Sequence, residues 1–559
     1  MRKYTGLLLV VMSTMSYAAS KTTYHFFVQF HDKGLNYVDI TKPDFFMSDR
    51  ALERRTRLHI PIDSLDLPVT AAYINNIRKP SIQVRYVSKW LNGAVISTAS
   101  MDTAWRLKIK FFVDDVVYLG KSIEKTNRSG RQEELAPDDS FKHQYGDGFR
   151  QLDMLNGTDL HKVGFLGDNM MIAVFDAGFR KVNKLSLFSQ IFNNQQVVYT
   201  EDVVDLEKNV YDDDDHGLHV FGCIAANKSS TMIGAAPAAD YVLIRTESNK
   251  YEIWLEELNW VRAAEIADSM GVDVINSSLG YNHFDETRLN HSHADLDGKT
   301  TYISRGAAIA ASRGMLVVNS AGNDGNKSWG KLDFPADVEN ILVVGAVDHN
   351  LEAPAFSSPG PTSDFRIKPD VAALGKQTYV ATTYGIGTGY GTSYSSPIIA
   401  GLATCLWEAN KTLTPLEIKQ IIKRSGHLFY NPDNVIGYGV PDFDLALKMT
   451  GKHPSFDYTK RQVINFNKTK YEHEESVSIY APDYVKGFCA VKQQKRFLFF
   501  KYFKTRSKTE CTLDPIGFGR MQVLLYNIPN GKKVTLSFYA ENQAGEKTVV
   551  KELQGELND

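Results

Sequence analysis

The spacing of apolar and polar positions changes twice along the chain and predicts three folded units. Over 20–122, alternating strands such as YHFFVQF and NGAVIST stand beside helical stretches near 47–58 and 71–78, which predicts an α+β unit. Over 149–450, near-continuous apolar runs such as MMIAVF and MLVVNS alternate with amphipathic stretches. Strands that are buried on both faces have such runs, so we expect an α/β unit with a parallel sheet.

The third unit, 451–559, contains period-two strands separated by polar turns, such as SVSIYA and KVTLSFYAENQ. This pattern predicts a small antiparallel sandwich or barrel, and the sandwich is our expectation. Between the first two units, 123–148 is polar and rich in turn residues. We interpret it as an exposed linker, where proteases cut most readily.

The N-terminus has the order of a secretory signal peptide. Arg2 and Lys3 precede an apolar run from Leu7 to Met12, and small residues follow at Ala18 and Ala19. The apolar run is well short of the ~20 residues that span a bilayer, and no other segment is long and apolar enough. We therefore expect a signal peptide over 1–19, export to the periplasm, cell surface or medium, and no transmembrane segment.

Composition narrows the choice of partners. A hydrophobic fraction of 43% and a charged fraction of 23% are typical of a folded, water-soluble protein. The formal net charge is −2, which gives no indication of a nucleic-acid partner.

Among the four cysteines, Cys223 and Cys405 lie in predicted buried helices, whereas Cys489 and Cys511 either pair in the β unit or stay free.

Three short segments of the α/β unit carry residues that suit nucleophilic catalysis. Asp176 ends the strand MMIAVFD, His216 begins a predicted helix, and Ser393 stands where a turn enters a helix. A serine hydroxyl needs a base to take its proton, and a histidine held by an aspartate can be that base. Each residue alone is more often a cap or a turn residue, so only their combination indicates chemistry.

The same segments resemble the motifs of the subtilisin-like serine peptidases, the subtilases. Those motifs occur in the order Asp, His, Ser, and here they are DAG at 176–178, HGLHVFG at 216–222 and GTSYSSP at 391–397. The resemblance implies a parallel-sheet, subtilisin-like catalytic domain over 149–450. It further implies a serine endopeptidase that uses Asp176, His216 and Ser393 and forms an acyl-enzyme with protein or peptide substrates.

Two further motifs extend the resemblance. NSSLG at 276–280 is similar to the segment that pairs with extended substrate backbone, and SAGNDG at 320–325 is similar to the one that completes the oxyanion hole. The oxyanion donor is then Asn323, worth roughly 3–4 kcal/mol, a figure that was measured in subtilisin. The resemblance implies that substrate contacts come from Ser278, Leu279, Gly280, Ala321 and Gly322.

Asp333 in LDFPAD is a candidate determinant of substrate preference. The resemblance places this residue at the floor of the first specificity pocket. A carboxylate there favours arginine or lysine before the scissile bond. In the alternative, the loop turns Asp333 outward to solvent and it has no part in selection.

Three positions depart from the family pattern. Ala177 replaces a hydroxyl residue that orients the aspartate in many relatives, Leu218 replaces threonine, and Tyr394 replaces methionine after the nucleophile. None removes a proton donor or acceptor of the triad, so we expect activity. The alternative is a catalytically impaired scaffold that acts as a secreted binding or adhesion protein.

The resemblance also gives the first unit a role. Its strands are similar to those of subtilase propeptides, which assist folding and then block the active-site cleft. We expect 20–122 to be such a propeptide, with processing in the linker, for example at the basic cluster Arg128 to Arg131. The alternative is a permanent accessory domain.

The aspartate run before His216 permits a competing interpretation as a metal site. Asp212 to His219 offers several ligand types, but no HExxH motif or second ligand cluster accompanies it. We expect no catalytic metal and no cofactor for the chemistry. Structural calcium is common in the family, but no run of oxygen ligands assigns a site. We expect His219 to be a packing residue, and the aspartates to form a solvated helix entry that raises the pKa of His216.

Overall fold

The computed structural model describes residues 22–34, 38–123 and 145–452, and the backbone of seven strands between 462 and 556. The predicted signal peptide, the basic cluster Arg128 to Arg131 and the pairing of Cys489 with Cys511 lie outside what is described.

The N-terminal unit is an antiparallel sheet with helices, as its alternating pattern predicts. Four strands lie in the order β2-β3-β1-β4. Side-chain caps begin its first two helices, with Ser48 accepting from Ala51 N and Thr70 from Ala72 N. The elements are β1 (Thr22–Phe30), α1 (Asp49–Arg57), α2 (Ala71–Ile77), β2 (Gln83–Ser88), β3 (Gly93–Thr98), α3 (Met101–Trp105) and β4 (Val113–Ile123), with 3-10 turns at Pro43–Phe45 and Arg106–Ile109.

The central unit contains a seven-stranded sheet in which every paired strand runs parallel to its neighbour. The strands of this unit are β5 (Met171–Asp176), β6 (Val197–Asp202), β7 (Asn227–Lys228), β8 (Met232–Ile233), β9 (Asp240–Arg245), β10 (Val274–Ser277), β11 (Leu316–Ser320), β12 (Leu342–Val347), β13 (Val371–Leu374), β14 (Lys376–Thr382) and β15 (Gly385–Tyr390). The large sheet has the order β13-β12-β11-β10-β5-β9-β6, while β7 pairs with β8 and β14 with β15. The predicted parallel α/β fold is confirmed.

Helices cover both faces of this sheet. They are α4 (Phe149–Asp153), α5 (Gly157–Lys162), α6 (Ser189–Asn193), α7 (His216–Ala225), α8 (Leu255–Met270), α9 (Tyr302–Ser312), α10 (Thr392–Ala409), α11 (Pro415–Ser425) and α12 (Phe443–Met449), with 3-10 turns at Val182–Lys184, Ser186–Phe188, Thr287–Leu289 and His293–Asp295. Alternate residues of β5 separate into two cores, with Ala173 and Phe175 on the side of α8 and α9, and Ile172 and Val174 on the side of α7 and α10. Burial on both faces explains the continuous apolar runs.

The N-terminal unit lies against α8 and shares the core on that side of the sheet. Between the two surfaces, the Asp268 carboxylate is fully buried and contacts Arg54 Nη2 at 2.6 Å, Arg55 Nη2 at 3.0 Å and Lys89 Nζ at 3.3 Å. Nearby, Ser88 Oγ donates to the buried Glu265 carboxylate at 2.6 Å. Buried charges of this kind require their partners, so the two units depend on each other at this interface.

The C-terminal strands form two antiparallel groups, in the orders β16-β17-β20 and β19-β18-β21-β22. The predicted sandwich concerns how these groups pack, and it stays a prediction. The strands are β16 (Gln462–Lys468), β17 (Glu474–Tyr480), β18 (Lys486–Phe497), β19 (Phe500–Thr512), β20 (Phe518–Leu524), β21 (Lys533–Glu541) and β22 (Lys547–Glu556).

Candidate active site

Three elements bring Asp176, His216 and Ser393 to one edge of the parallel sheet. Asp176 is the last residue of β5, His216 is the first residue of α7, and Ser393 lies in the first turn of α10. The Nδ1 atom of His216 lies 2.7 Å from Oδ1 of Asp176. His216 and Ser393 line the same cleft. Ligand and substrate sites of parallel sheets commonly lie at the carboxyl ends of the strands.

The Asp176 carboxylate is fully buried, and only one of its two oxygens accepts hydrogen bonds from the residues that the structure describes. Its Oδ1 accepts from His216 Nδ1 and from Ala177 N, the latter at 2.8 Å. Its Oδ2 has no hydrogen-bond donor among the described residues. A buried acceptor without a donor is costly, and Ala177 stands where the family pattern has a hydroxyl residue.

We expect Ala177→Ser to supply that donor. One satisfied buried acceptor is worth about 1 kcal/mol, so the free energy of unfolding rises by about that amount and kcat rises by a few-fold. Urea unfolding and peptide hydrolysis measure the two effects. Ala177→Val adds volume without a donor, and an equal gain in that variant would contradict the explanation.

Opposing effects act on the His216 ring. Burial lowers its pKa, but the ring is still 31% exposed, and the ionised Asp176 with its hydrogen bond opposes the burial. The charges of Glu247 and Asp214 also favour the protonated ring, and the pKa of His216 is raised to about 9. A general base acts in its neutral form, so the fraction of active base increases as pH rises through about 9.

We therefore expect kcat/KM to increase with pH, with a midpoint near 9, and to level off above it. Asp214→Asn removes one of the charges that favour imidazolium, so the midpoint moves to lower pH. Asp212 is exposed and accepts from Asn209 Nδ2 at 2.6 Å, and Asp212→Asn is the matched control. pH–rate profiles that coincide for wild type and Asp214→Asn would disprove a role for the aspartate run.

The Ser393 hydroxyl is hydrogen-bonded to Ser278, in the neighbouring segment 276–280. Ser393 Oγ donates to the carbonyl oxygen of Ser278 at 3.3 Å, and Ser278 Oγ donates to the carbonyl oxygen of Ser393 at 2.9 Å. Transfer of its proton to His216 therefore requires the Ser393 hydroxyl to give up this hydrogen bond. The backbone N–H of Ser393 lies in the first helical turn, where amide groups have no intrahelical acceptor.

The amide of Asn323 is fixed by the start of α10. Thr392 N donates to Asn323 Oδ1 at 2.9 Å, and Gly322 N donates to Thr392 Oγ1 at 3.2 Å. Because Oδ1 is occupied, the Nδ2 hydrogens of Asn323 remain for an oxygen of a bound molecule. Asn323 lines the cleft together with Ser393.

The cleft has a volume of about 470 Å³, within the range of binding pockets. Ser278, Leu279, Gly280 and Gly322 line it, as the resemblance implies. Ala321 is placed differently. It is fully buried beneath the cleft, its N–H donates to Val344 O, and its carbonyl accepts from Asp333 N.

Asp333 points inward, between the two segments that line the cleft. A Cβ atom at Gly322 would lie 2.1 Å from Asp333 Oδ2, and one at Gly280 would lie 2.6 Å from Asp333 Cβ. Asn282 Nδ2 donates to Asp333 Oδ1 at 2.5 Å. Burial, together with the charge of Asp324, raises the pKa of Asp333 to about 7.

Sequence reasoning did not identify two further carboxylates of the cleft, Glu247 and Glu252. Burial and the charge of Asp176 raise the pKa of Glu247 to about 7, and burial and Glu247 raise the pKa of Glu252. Neither carboxylate forms an ion pair in the described part of the chain. Glu247 comes just after β9, so its position at a strand end was the available signal.

The aspartate run is only partly the solvated loop that we predicted. Asp212 is exposed, but Asp213 contacts Arg245 Nη1 at 3.3 Å and Asp214 Oδ1 accepts from His216 N at 2.8 Å. These contacts hold the entry to α7 because each carboxylate has a protein partner. His219 is buried, as expected of a packing residue, and its Nδ1 lies 3.4 Å from the Tyr394 hydroxyl.

Within the described residues, no cluster of three or more His, Cys, Asp or Glu side chains is arranged to hold a metal ion. In the same part of the chain, the helices are too short or too polar to cross a bilayer. Cys223 and Cys405 are free and buried, as predicted, and burial raises the pKa of both thiols.

Comparison with known proteins identifies the family. The model of the subtilase family matches residues 167–439, which contain Asp176, His216 and Ser393. The chain belongs to the subtilase family. A second model, the peptidase S8 propeptide domain of Bacteroidota, matches residues 25–134. The N-terminal unit of this subtilase is therefore a propeptide domain.

Its relatives include bacterial serine peptidases. Serine protease AprX of Bacillus subtilis is 29% identical over 304 residues, which are 49% of this chain and 65% of AprX. Subtilisin E of the same species is 29% identical over 52% of this chain and 71% of its own. Subtilisin Savinase of Lederbergia lenta is 27% identical over 52% of this chain and 94% of its own. This subtilase is a serine-peptidase homologue of these enzymes.

Proposed function

We propose that this subtilase is an exported serine endopeptidase that hydrolyses peptide bonds through an acyl-enzyme. The observation that carries the proposal is the 2.7 Å contact between Asp176 and His216 in a cleft that Ser393 also lines. Asp176 holds the imidazole with Nδ1 protonated, which leaves Nε2 as the base. The signal-peptide pattern over 1–19 supports export.

The reaction proceeds in two halves. Ser393 Oγ bonds to the substrate carbonyl carbon while His216 Nε2 takes the hydroxyl proton. The C–N bond then breaks, and His216 gives that proton to the departing amine. Water, activated by His216 in the same way, hydrolyses the acyl-enzyme. Asn323 Nδ2 and the Ser393 N–H donate to the oxyanion in both halves. No step requires a cofactor.

A serine-directed fluorophosphonate probe tests this proposal. We expect mature protein to be labelled and the label to be lost in Ser393→Ala. An unlabelled mature wild-type protein would favour the alternative, a secreted binding protein on a subtilase scaffold. The hydrogen bond of Ser393 Oγ to the Ser278 carbonyl is the observation that favours this alternative, because it occupies the proton that the base would take.

We further propose that the enzyme cleaves after arginine or lysine. Asp333 is buried at the cleft between Gly280 and Gly322, and its carboxyl forms no ion pair within the described residues. A cationic side chain in the pocket supplies the missing partner. The unpaired carboxylates of Glu247 and Glu252 make the same cleft favourable for cationic peptides.

We expect Asp333→Asn to remove this preference. A hydrogen bond to a charged group is worth about 1.5–3 kcal/mol, so the ratio of kcat/KM for arginine over phenylalanine falls about tenfold to hundredfold. Asp159→Asn is the control, since Asp159 pairs with Lys162 at 2.7 Å and does not line the cleft. Equal cleavage of arginine and phenylalanine peptides by wild type would contradict the preference.

Propeptide removal is proposed to occur in the linker 123–148, for example at Arg128 or Arg131. β4 leads towards the cleft, since Gly120 packs against Ile253, which directly follows Glu252. A linker arginine suits the proposed preference for basic residues. N-terminal sequencing of the mature protein identifies the bond.

A further inference from the structure

A second cavity lies on the catalytic domain between α11 and the segment that leads into β13. Its volume is about 360 Å³, which is within the range of small-ligand sites. None of its lining residues belongs to the cleft around Ser393. Most of its polar lining groups are hydrogen-bond donors: Asn340, Arg366, Lys368, Lys419, Gln420 and Lys423.

Three of these donors are ammonium groups that surround a single carboxylate. The Nζ atoms of Lys368, Lys419 and Lys423 lie 2.6, 3.2 and 3.6 Å from the Asp370 oxygens. Lys368 and Lys419 are 2% and 3% exposed, so water reaches them poorly. Lys423 also lies over the ring of Tyr438, with 4.3 Å between Nζ and the ring centre.

The other charges at the cavity do not balance this cluster. Arg366 is paired with Asp364 at 2.8 Å. Glu339 is exposed and forms no side-chain ion pair among the described residues, although its backbone carbonyl accepts from Lys419 Nζ. With its lysines charged, the cluster therefore carries two positive charges beyond the one that Asp370 neutralises. Burial lowers the pKa of Lys368 to about 7 and also lowers that of Lys419, as expected for buried charge without enough compensation.

We propose that this cavity binds a doubly charged tetrahedral oxyanion, a phosphate or sulfate group, either free or carried on a larger molecule. Its charge matches the excess of the cluster, and its oxygens accept from the ammonium groups and from Asn340 or Gln420. The bound anion connects α11 to the segment before β13, so it stabilises the catalytic domain. This binding is separate from peptide hydrolysis and from the cleft.

Thermal unfolding of the full chain with Ser393→Ala tests the site without self-cleavage. At constant ionic strength, replacement of chloride by inorganic phosphate or sulfate is expected to raise Tm in a saturable manner. Lys423→Gln weakens the apparent affinity about tenfold to hundredfold, while Lys423→Arg largely keeps it. Lys162→Gln removes one exposed charge elsewhere and leaves the affinity unchanged.

A sulfated oligosaccharide distinguishes the two sources of the anion. Saturable binding of inorganic phosphate or sulfate supports a free ion, and binding of the oligosaccharide alone, lost in Lys423→Gln, supports a carried group. The proposal is overturned if neither probe gives a saturable response. It is also overturned if Lys423→Gln and Lys162→Gln respond alike while both fold with an unliganded Tm close to that of their parent.

Discussion

Replacement of His216 by alanine is expected to lower kcat for peptide hydrolysis about a millionfold, with little change in KM. The imidazole is the only neutral base that the described cleft places beside Asp176, at 2.7 Å, and without it the Ser393 proton has no acceptor during attack. Loss of a group that acts in the transition state reduces kcat and kcat/KM together. Hydrolysis rates of an arginine peptide amide, corrected for the folded fraction, measure this.

His219 provides a matched control for this prediction. It lies three residues further along α7 and is buried, but its ring faces Tyr394 rather than Asp176. We expect His219→Gln to reduce stability while kcat stays within about tenfold of wild type. Because base and nucleophile act as a unit, His216→Ala with Ser393→Ala loses no more than either alone. A loss in His219→Gln equal to that in His216→Ala would contradict the assignment.

The central strands of the sheet were predictable from apolar runs, and its two edge strands were not. The runs MMIAVF and MLVVNS correspond to β5 and β11, whose residues are all buried. β6 lies at one edge and is only partly buried, so polar residues interrupt its pattern. β13, at the other edge, has four residues, of which two are alanines. In this sheet, the continuous apolar runs therefore belong to strands that have a neighbouring strand on both sides.

The proposed triad was predictable because each member stands at the end of an element with a recognisable pattern. Its surroundings depend on contacts between distant segments, which leave no local pattern. The orphaned Oδ2 of Asp176 is visible only when every neighbour is placed. The inward position of Asp333 likewise depends on the packing of Gly280 and Gly322, which the sequence left open.

The propeptide interface was not predictable for a related reason. Asp268 lies in the helical stretch EIADSM, where a charged residue is normally exposed. Its partner Arg54 is 214 residues away in the chain, and both side chains are buried. A charge within an amphipathic helix indicates burial only when its partner is known.

We expect Asp268→Ala to loosen the propeptide from the catalytic domain. The substitution leaves Arg54 and Arg55 buried without their shared carboxylate, which costs about 3–5 kcal/mol. In full chain carrying Ser393→Ala, amide hydrogen exchange in α1 then becomes faster by roughly two to three and a half orders of magnitude. Exchange in the central strands β10 and β11 changes much less, because Asp268 contacts the propeptide rather than the sheet.

An exposed ion pair is the control for this last prediction. Asp159 pairs with Lys162 at 2.7 Å, with side chains 39% and 66% exposed, so Asp159→Ala costs about 0–1 kcal/mol. Both variants lose one aspartate, and only the buried one leaves uncompensated charge behind. Similar exchange in α1 for the two variants would mean that other contacts, such as apolar packing or the ion pair of Arg57 with Asp273 at 3.2 Å, hold the propeptide. Faster exchange in Asp268→Ala alone shows that this carboxylate contributes to holding the propeptide.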